Sequence, residues 1–513
     1  MQIGSFMVLC IRNRPYFHNN INNGKFKKNG GCSLKSYRER LKEIKTVYIN
    51  GELIQDVTKH EVFKGAINII EQYYNLQESQ PDVHCDNNQN SISLMVPTNK
   101  NELEMKRNSY KAIADLSYGM LGRTPDFMNA ALATLSEHAD FLGEDKHADY
   151  ISNIKSYYEY VKENNLFIGH GAINPQIDRN TPLGMQDNQY AGVHVLSENE
   201  SGIVVHGAKM IVTMAPISDE LLIFNMPGLR PGDENFAVAF ALPVNTPGVK
   251  LVCRKSTIKN QYSLFDYPIS NQFDEIDAYL VLENVEIPWD RVFIYKDINK
   301  SNSFYDKSFI RHHTGHQGIV RALSKAEFLT GVAIKVAQVM KLDKFINVQE
   351  QLGELTSFLE IIKASIFYSE EGTYSEKGVL NPNINIIQSV RYHFPPMYEK
   401  MIKLIQDFTA GSLLSTPHER DLLGSTRETL LKSLSTEEVS TEERILLLNL
   451  AWDVSSDGFG QRQMLYEYNH AGSPILLGSR HYLQSNQEEL KNPVNKLIKE
   501  LVKQVNEDSF VKF

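Results

Sequence analysis

Gly122-Arg123-Thr124-Pro125-Asp126-Phe127 opens a helix in this sequence, and His170-Gly171-Ala172-Ile173-Asn174-Pro175-Gln176-Ile177-Asp178-Arg179 marks the point where the helical texture stops. In the first stretch Thr124 suits a helix N-cap, Pro125 the first helical position, and Asp126 the positive end of the helix dipole. Arg123 then stands just outside the helix and Phe127 within its first turn, so both can border one pocket. A helix N-terminus beside a permanently charged guanidinium stabilises an anion. The second stretch combines a histidine, small residues and a Pro-Gln-Ile-Asp-Arg run too polar and broken for a regular element. Capped helix starts and single histidines are each common without chemistry; their combination gives the pair its interest.

Working outward, the chain divides into three parts. Asn101 with Glu104 predicts a capping box for a helix through Leu121. Thr124 to Phe141 and His147 to Asn164 read as two more helices. After His170, Val193-His194-Val195 and Ile203-Val204-Val205 flank Ser197 to Gly202 as a hairpin. Phe236 to Leu242, Val249 to Cys253, Asp277 to Val285 and Val292 to Tyr295 read as short strands separated by turn residues. Strands at this spacing predict a small barrel or sandwich. From about Ile310 the helical period returns, with Ile319, Leu323, Ala326, Leu329, Ala333 and Val336 on one stripe, and further helices are expected from Glu350, Tyr398 and Arg444. The expected units are a poorly ordered extension at 1–32, a helical domain at 33–166, a β domain at 167–298 and a helical bundle at 299–513.

Composition narrows the function classes. The 513 residues, 42% hydrophobic, are enough for a large core in two or three domains. A formal charge of −9 without a basic stripe argues against nucleic acid as the main partner. No apolar run reaches the ~20 residues needed to span a bilayer. Residues 3–11 are apolar but lack a basic leader and a cleavage pattern, so no signal peptide is read there. Four scattered cysteines, Cys10, Cys32, Cys85 and Cys253, without C-x-x-C spacing fit a reducing cytoplasm, and no metal site is expected. There is no G-x-G-x-x-G after a strand.

Together with Leu116-Ser117-Tyr118-Gly119-Met120, Tyr48-Ile49-Asn50-Gly51-Glu52, Phe459-Gly460-Gln461-Arg462 and Tyr466-Glu467, the two opening stretches resemble the 4-hydroxyphenylacetate 3-monooxygenase oxygenase-component family. These are two-component, reduced-flavin-dependent phenol hydroxylases, and the resemblance runs from about Ser33 to about Gly472. It implies a mainly α fold with a central β-barrel, in an acyl-CoA-dehydrogenase-like three-domain architecture, assembled as a homodimer or homotetramer. It also implies reduced FAD supplied by a separate NAD(P)H-dependent flavin reductase, and hydroxylation of a phenolic compound ortho to its hydroxyl. The missing nicotinamide fingerprint fits an enzyme that borrows its reduced flavin.

The resemblance places Arg123 and His170 around the substrate hydroxyl. Arg123 suits a phenolate, and His170 can donate a hydrogen bond to it or exchange its proton. The position of Phe127 is commonly a tyrosine in the family, so one hydroxyl is missing here. A substitute is sought in His312-His313-Thr314-Gly315-His316-Gln317, with His316 as the catalytic candidate. Asn225 and Met226, at the start of a loop at 225–235 expected to act as a mobile lid, are read as substrate contacts. For FAD the resemblance carries over His170, Gly171, Ala172, Gln176, Ile177, Asp178, Arg179, Thr213 and the turn Ser456, Asp457, Gly458, Phe459, Gly460. The chain departs from the family at Gly458 and Gln461.

Three alternatives share the architecture. An acyl-CoA-dehydrogenase-like flavoprotein oxidoreductase would need a base for a thioester α-proton, which no residue nominates. An iron–sulfur radical dehydratase would need three cysteines and a histidine, and two of the four cysteines lie in the extension. A non-catalytic flavin-binding protein is suggested by Phe127, but fits less well with Arg123 and His170 in place.

Overall fold

The structure, a computed structural model, describes residues 35–43 and 45–509; the expected extension at 1–32 lies outside them. Tyr48-Ile49-Asn50-Gly51-Glu52 forms a tight hairpin in which Val47–Ile49 pairs antiparallel with Glu52–Ile54. Asn50 and Gly51 both take positive φ, 53° and 84°, the type I′ geometry for which Asn-Gly is suited. The hairpin runs alongside Val249–Cys253 in parallel. It thereby completes a six-stranded sheet ordered Glu52–Ile54, Val47–Ile49, Val249–Cys253, Asp277–Pro288, Gly202–Thr213, His194–Glu198.

A second, four-stranded sheet is ordered Val292–Ile294, Ala239–Pro243, Glu220–Ile223, Ile168–Gly171. Its last pair is parallel and sets His170 opposite Leu222. An isolated bridge from Ile173 to Met210 joins the two sheets just beyond His170. Apart from the small hairpin of Tyr374–Glu376 with Val379–Asn381, the strands of the described residues form these two sheets in one hydrophobic core, where the strand spacing predicts a small barrel or sandwich and the resemblance a central β-barrel. Register shifts between Val205 and Gly207 and between Lys209 and Val212 interrupt the long central pair; such bulges bend and twist a strand. The strand expected from Phe236 begins instead at Ala239. The Asn225 amide binds the Phe236 and Val238 carbonyls, which keeps that stretch out of the ladder.

The helices precede and follow the sheets in chain order. Lys100–Asp115 is capped by Asn99, whose side chain accepts from the Glu102 amide, in place of the expected Asn101–Glu104 box. It stops at Asp115 because Tyr118 and Gly119 turn to positive φ. A Cβ on Gly119 would stand 2.7 Å from the Lys325 amide nitrogen, so only glycine allows this close approach. Pro125–Glu137 begins as predicted but gives way to a 3₁₀ turn at Ala139–Leu142. Tyr150–Asn164 starts at its Asp149 cap, later than the expected His147.

In the C-terminal part the predicted apolar stripe of Ile310–Val339 is buried throughout. The next helices, Ile346–Glu371, Ile384–Thr409 and Thr441–Ser455, all begin before their expected starts. Ile384–Thr409 runs through Pro395 and Pro396, which a sequence reading takes as a break. The segment expected as a glycine turn at 456–460 is the start of a helix, Gly458–Asn469.

Candidate active site

The loop before Pro125–Glu137 is held by backbone contacts. Glu275 Oε1 accepts the amides of Gly122 and Arg123 at 2.8 and 2.6 Å. A Cβ on Gly122 would lie 1.9 Å from the Tyr466 hydroxyl, so glycine here lets that tyrosine reach the loop. Arg123 Nη1 donates to the Tyr466 hydroxyl at 2.7 Å and to the Gly122 carbonyl at 3.2 Å. Its Nε and Nη2 have no partner among the described residues. The guanidinium carbon lies 4.1 Å from the centre of the Phe127 ring, a favourable cation–π distance.

Phe127 faces His170, with ring centroids 5.7 Å apart, and His170 stacks on Phe224 at 6.1 Å. Neither ring nitrogen of His170 has a hydrogen-bond partner among the described residues. Burial, followed by the Arg123 charge, pulls the imidazole pKa down to about 3. The sequence reading allowed His170 to exchange a proton near neutrality. In this environment it is a neutral imidazole that donates or accepts a hydrogen bond. Arg123, Phe127 and His170 are thus brought together as a guanidinium with a free edge, an aromatic ring and a neutral imidazole.

Glu275 is itself held in a dense charged seam. Arg462 spans Glu275 at 3.3 Å and Asp277 at 2.9 Å, and Arg254 joins Asp277 to Asp274. Thr213, expected at the flavin, donates to Asp277 at 2.7 Å. Behind Tyr466, Glu467 binds both Arg321 and Lys325, and all three side chains are almost fully buried. The two cations hold the Glu467 carboxyl far below its usual range against the effect of burial.

The histidine cluster does not join this group. His316 Nε2 is 2.8 Å from Glu370, His313 Nε2 is 3.1 Å from the Asn381 side-chain oxygen, and His312 Nδ1 is 3.0 Å from the Pro382 carbonyl. The neighbouring Gln317 does reach the site helix, donating to Asp126 at 2.9 Å.

The loop at 225–235, expected to be a lid, is pinned. Asn225 Oδ1 accepts from Lys209 at 2.7 Å, and Asn302 Oδ1 accepts the Gly228 and Leu229 amides. Met226 is exposed. Lys209 also donates to Asn174 and to the Phe224 carbonyl, and burial lowers its pKa to about 7. It ties the segment after His170 to the loop at 225–235. Sequence reasoning missed Lys209 and Glu275; a lysine in an otherwise apolar strand was the readable signal for the first.

Of the segment expected at the cofactor, Gly171 and Ala172 are buried at the sheet junction, whereas Gln176, Ile177, Asp178 and Arg179 are exposed. Ile177 and Asp178 border an open cleft of about 700 Å³ continued by Thr181, Met185 and Tyr190. Arg179 has no partner among the described residues, so its fork is available to a phosphate. Across the chain, the helix Gly458–Asn469 presents its N-terminus beside Thr257, whose buried hydroxyl is unpartnered. Asp457 pairs with Lys259, Ser456 contacts Ser455, Phe459 is core, and a Cβ on Gly460 would meet the Val454 carbonyl at 2.5 Å. Free amides, an unpaired arginine and an orphaned hydroxyl fit a phosphate-bearing group such as FAD.

The fold and site define a helix–sheet–helix protein in which an arginine, aromatic rings and a neutral histidine are grouped together. Residues 34–294 match the 4-hydroxyphenylacetate 3-hydroxylase N-terminal family and residues 301–499 its C-terminal family. The chain belongs to the 4-hydroxyphenylacetate 3-hydroxylase family. It is 32% identical over 465 residues to a 4-hydroxyphenylacetate 3-monooxygenase oxygenase component of Thermus thermophilus, covering 89% of this chain and 95% of that one. A crystal structure of such an oxygenase component complexed with FAD and 4-hydroxyphenylacetate superposes with a TM-score of 0.87 at 32% identity, over 91% of this chain and 98% of the other. Glutaryl-coenzyme A dehydrogenase, at 12% identity and a TM-score of 0.50, covers 83% of this chain and 87% of its own. That last likeness extends the shared fold to the acyl-CoA dehydrogenases.

Proposed function

We propose that this protein is the oxygenase component of a two-component monooxygenase that hydroxylates a phenolic ring ortho to its hydroxyl, with reduced FAD delivered by a separate NAD(P)H-dependent reductase. The observation that carries the reading is the free Nε–Nη2 edge of Arg123 beside the unpartnered ring of His170, in a chain of this family. When bound, reduced FAD would supply with O2 the oxygen that is transferred; His170 to Ala172, Gln176 to Arg179 and the start of the Gly458–Asn469 helix would hold it. Arg123 stabilises the phenolic oxygen as its anion, which makes the ring electron-rich. His170, neutral across the working pH range, hydrogen-bonds the same oxygen. Phe127 and Phe224 wall the ring and exclude water.

Reconstitution with chemically reduced FAD under oxygen, across a panel of phenols, tests the reading: a coupled hydroxylated product is expected. Rapid NADH turnover by the purified protein without a reductase would refute the two-component assignment. We read the chain as three units, 33–166, 167–298 and 299–513, with the paired sheets serving as the central barrel. Among the described residues no helix is long and apolar enough to cross a membrane. A cytoplasmic setting is supported by Cys85 and Cys253, two buried free thiols whose pKa values burial raises to about 11 and about 12. The helix Gln487–Ser509 exposes Leu490, Val494, Leu497, Ile498 and Leu501, which supports a homodimer or homotetramer; light scattering reads the mass.

A further inference from the structure

His194 and His206 stand opposite one another in the hairpin of His194–Glu198 with Gly202–Thr213, as a direct cross-strand pair. Residues paired in this way carry their side chains on one face of the sheet. The two imidazole centres are 5.9 Å apart, with the rings at 65°. A Cβ on Gly207 would lie 2.0 Å from the Gly192 carbonyl, so glycine lets the backbone close at this end of the hairpin.

Each ring is oriented through its Nδ1. That of His194 lies 3.3 Å from the Gly192 carbonyl, and that of His206 lies 3.3 Å from the Asn284 side-chain oxygen. Both partners are accepting oxygens, so Nδ1 carries the proton on each ring and Nε2 is left as a bare lone pair. An oxygen that fixes the tautomer from behind is what prepares an imidazole to ligate a metal ion. His206 is only 8% exposed, and its Nε2 is buried without a partner; a buried acceptor left unpaired is costly. Nε2 of His194 has no hydrogen-bond partner among the described residues either. Burial, with His206 acting in the same direction, lowers the His194 pKa against the Gly192 contact, which keeps this ring neutral.

The spacing fits one shared ion. At metal–nitrogen distances of about 2.0–2.1 Å, two imidazoles on one ion have ring centres about 5.2 Å apart at the tetrahedral angle and about 6.4 Å apart in a line. The observed separation falls between these limits. Phe236 packs on His194 at 5.0 Å and Tyr190 on His206 at 4.8 Å. Tyr190 also borders the open cleft at Ile177 and Asp178, which gives an ion its way in.

We propose that His194 and His206 together bind one divalent transition-metal ion, Cu2+ ahead of Zn2+, with water in the remaining positions. Imidazole suits both ions, and Cu2+ is the tighter binder at a given nitrogen site. Among the described residues no third histidine, cysteine or carboxylate completes a ligand set, so binding depends on both rings. The ion staples the two strands next to the register shift between Val195 and Ser197.

The test is Cu2+ titration of the full chain with electron paramagnetic resonance, in the wild type, His194→Gln, His206→Gln and, as a control, His147→Gln, whose ring pairs with Glu198 instead. The wild type is expected to take up one tightly held Cu2+ that shows two imidazole nitrogens. Each hairpin variant is expected to bind it roughly tenfold or more weakly and to show one nitrogen, while the control matches the wild type and Zn2+ competes for the same ion position. If the buried His206→Gln does not fold, His194→Gln, at a half-buried position, reads the loss alone. Unchanged Cu2+ affinity in folded His194→Gln overturns the proposal, as does a wild-type spectrum without two imidazole nitrogens. Loss of binding confined to His147→Gln also overturns it and moves the ion to the His147–Glu198 pair.

Discussion

Replacing Arg123 with alanine should separate binding chemistry from folding, and the structure sets the size of both effects. The side chain makes two hydrogen bonds within the protein, to Tyr466 and to the Gly122 carbonyl, and two ring contacts, with Phe127 and Tyr466. The loop is fastened by its backbone amides on Glu275, which the substitution leaves in place. The folding cost is therefore the cation–π contacts and two charge-assisted hydrogen bonds of a half-buried side chain, about 2–4 kcal/mol together. For a chain of this length that amounts to a few degrees in Tm at most. The free Nε–Nη2 edge, by contrast, is offered to a developing phenolate, and a charge-assisted hydrogen bond of that kind is worth about 1.5–3 kcal/mol. Arg123→Ala should thus lower kcat/KM for hydroxylation roughly 10- to 150-fold while FAD affinity is unchanged. Single-turnover hydroxylation with pre-reduced FAD, alongside calorimetry, measures the two effects. Unaltered turnover and coupling in a folded Arg123→Ala protein would remove the residue from the mechanism; a large drop in Tm would show that the guanidinium is structural.

Phe127→Tyr should place a hydroxyl toward His170 and Arg123 and tighten 4-hydroxyphenylacetate binding by about 1 kcal/mol, roughly fivefold, whereas His316→Ala, acting at Glu370, should leave that affinity unchanged; titration of both variants decides. Glu467→Gln leaves Arg321 and Lys325 buried without their counter-charge and should cost about 3–5 kcal/mol of stability, seen as a much lower Tm or insoluble protein. A variant as stable as the wild type would contradict the buried triad. Acid should destabilise the fold well above the carboxylate range. His170 at about 3 and His312 at about 4, with His313 and His470 well below their usual value, stay neutral when folded but protonate once unfolded below about pH 6.5. The unfolded chain then binds more protons, so stability falls with falling pH by up to about 1.4 kcal/mol per unit for each such histidine. Glu467, held far below its usual range, adds its own loss only below about pH 4.3. Urea midpoints between pH 4.5 and 6.5 read these four histidines against the opposing gain at Glu220, which burial raises to about 7, and a stability that rises as the pH falls through that window would refute the net loss.

Family membership, the helix start at Pro125 and the pairing of Arg123 with His170 were legible in the linear sequence. Each is carried by local rules, namely capping and proline placement, the Asn-Gly turn at 50–51, and ordered motifs with their own residue identities. The long apolar stripe from Ile319 to Val336 was equally legible, because burial of one helical face imposes its own period. Element boundaries were less so: Ile384–Thr409 continues through two prolines because surrounding helices over-determine it, which propensity does not record. The fate of individual polar groups was decided only by tertiary packing. Nothing in the spacing of His316 and Glu370, or of Thr213 and Asp277, shows that they meet, and His170 loses its proton-exchanging range only because Arg123 and aromatic rings close around it. Arg391 is the extreme case. Burial lowers its pKa and Arg311, Arg123 and Arg480 repel it; these groups lie far apart in the chain, so desolvation and repulsion depend on distances that sequence separation does not encode.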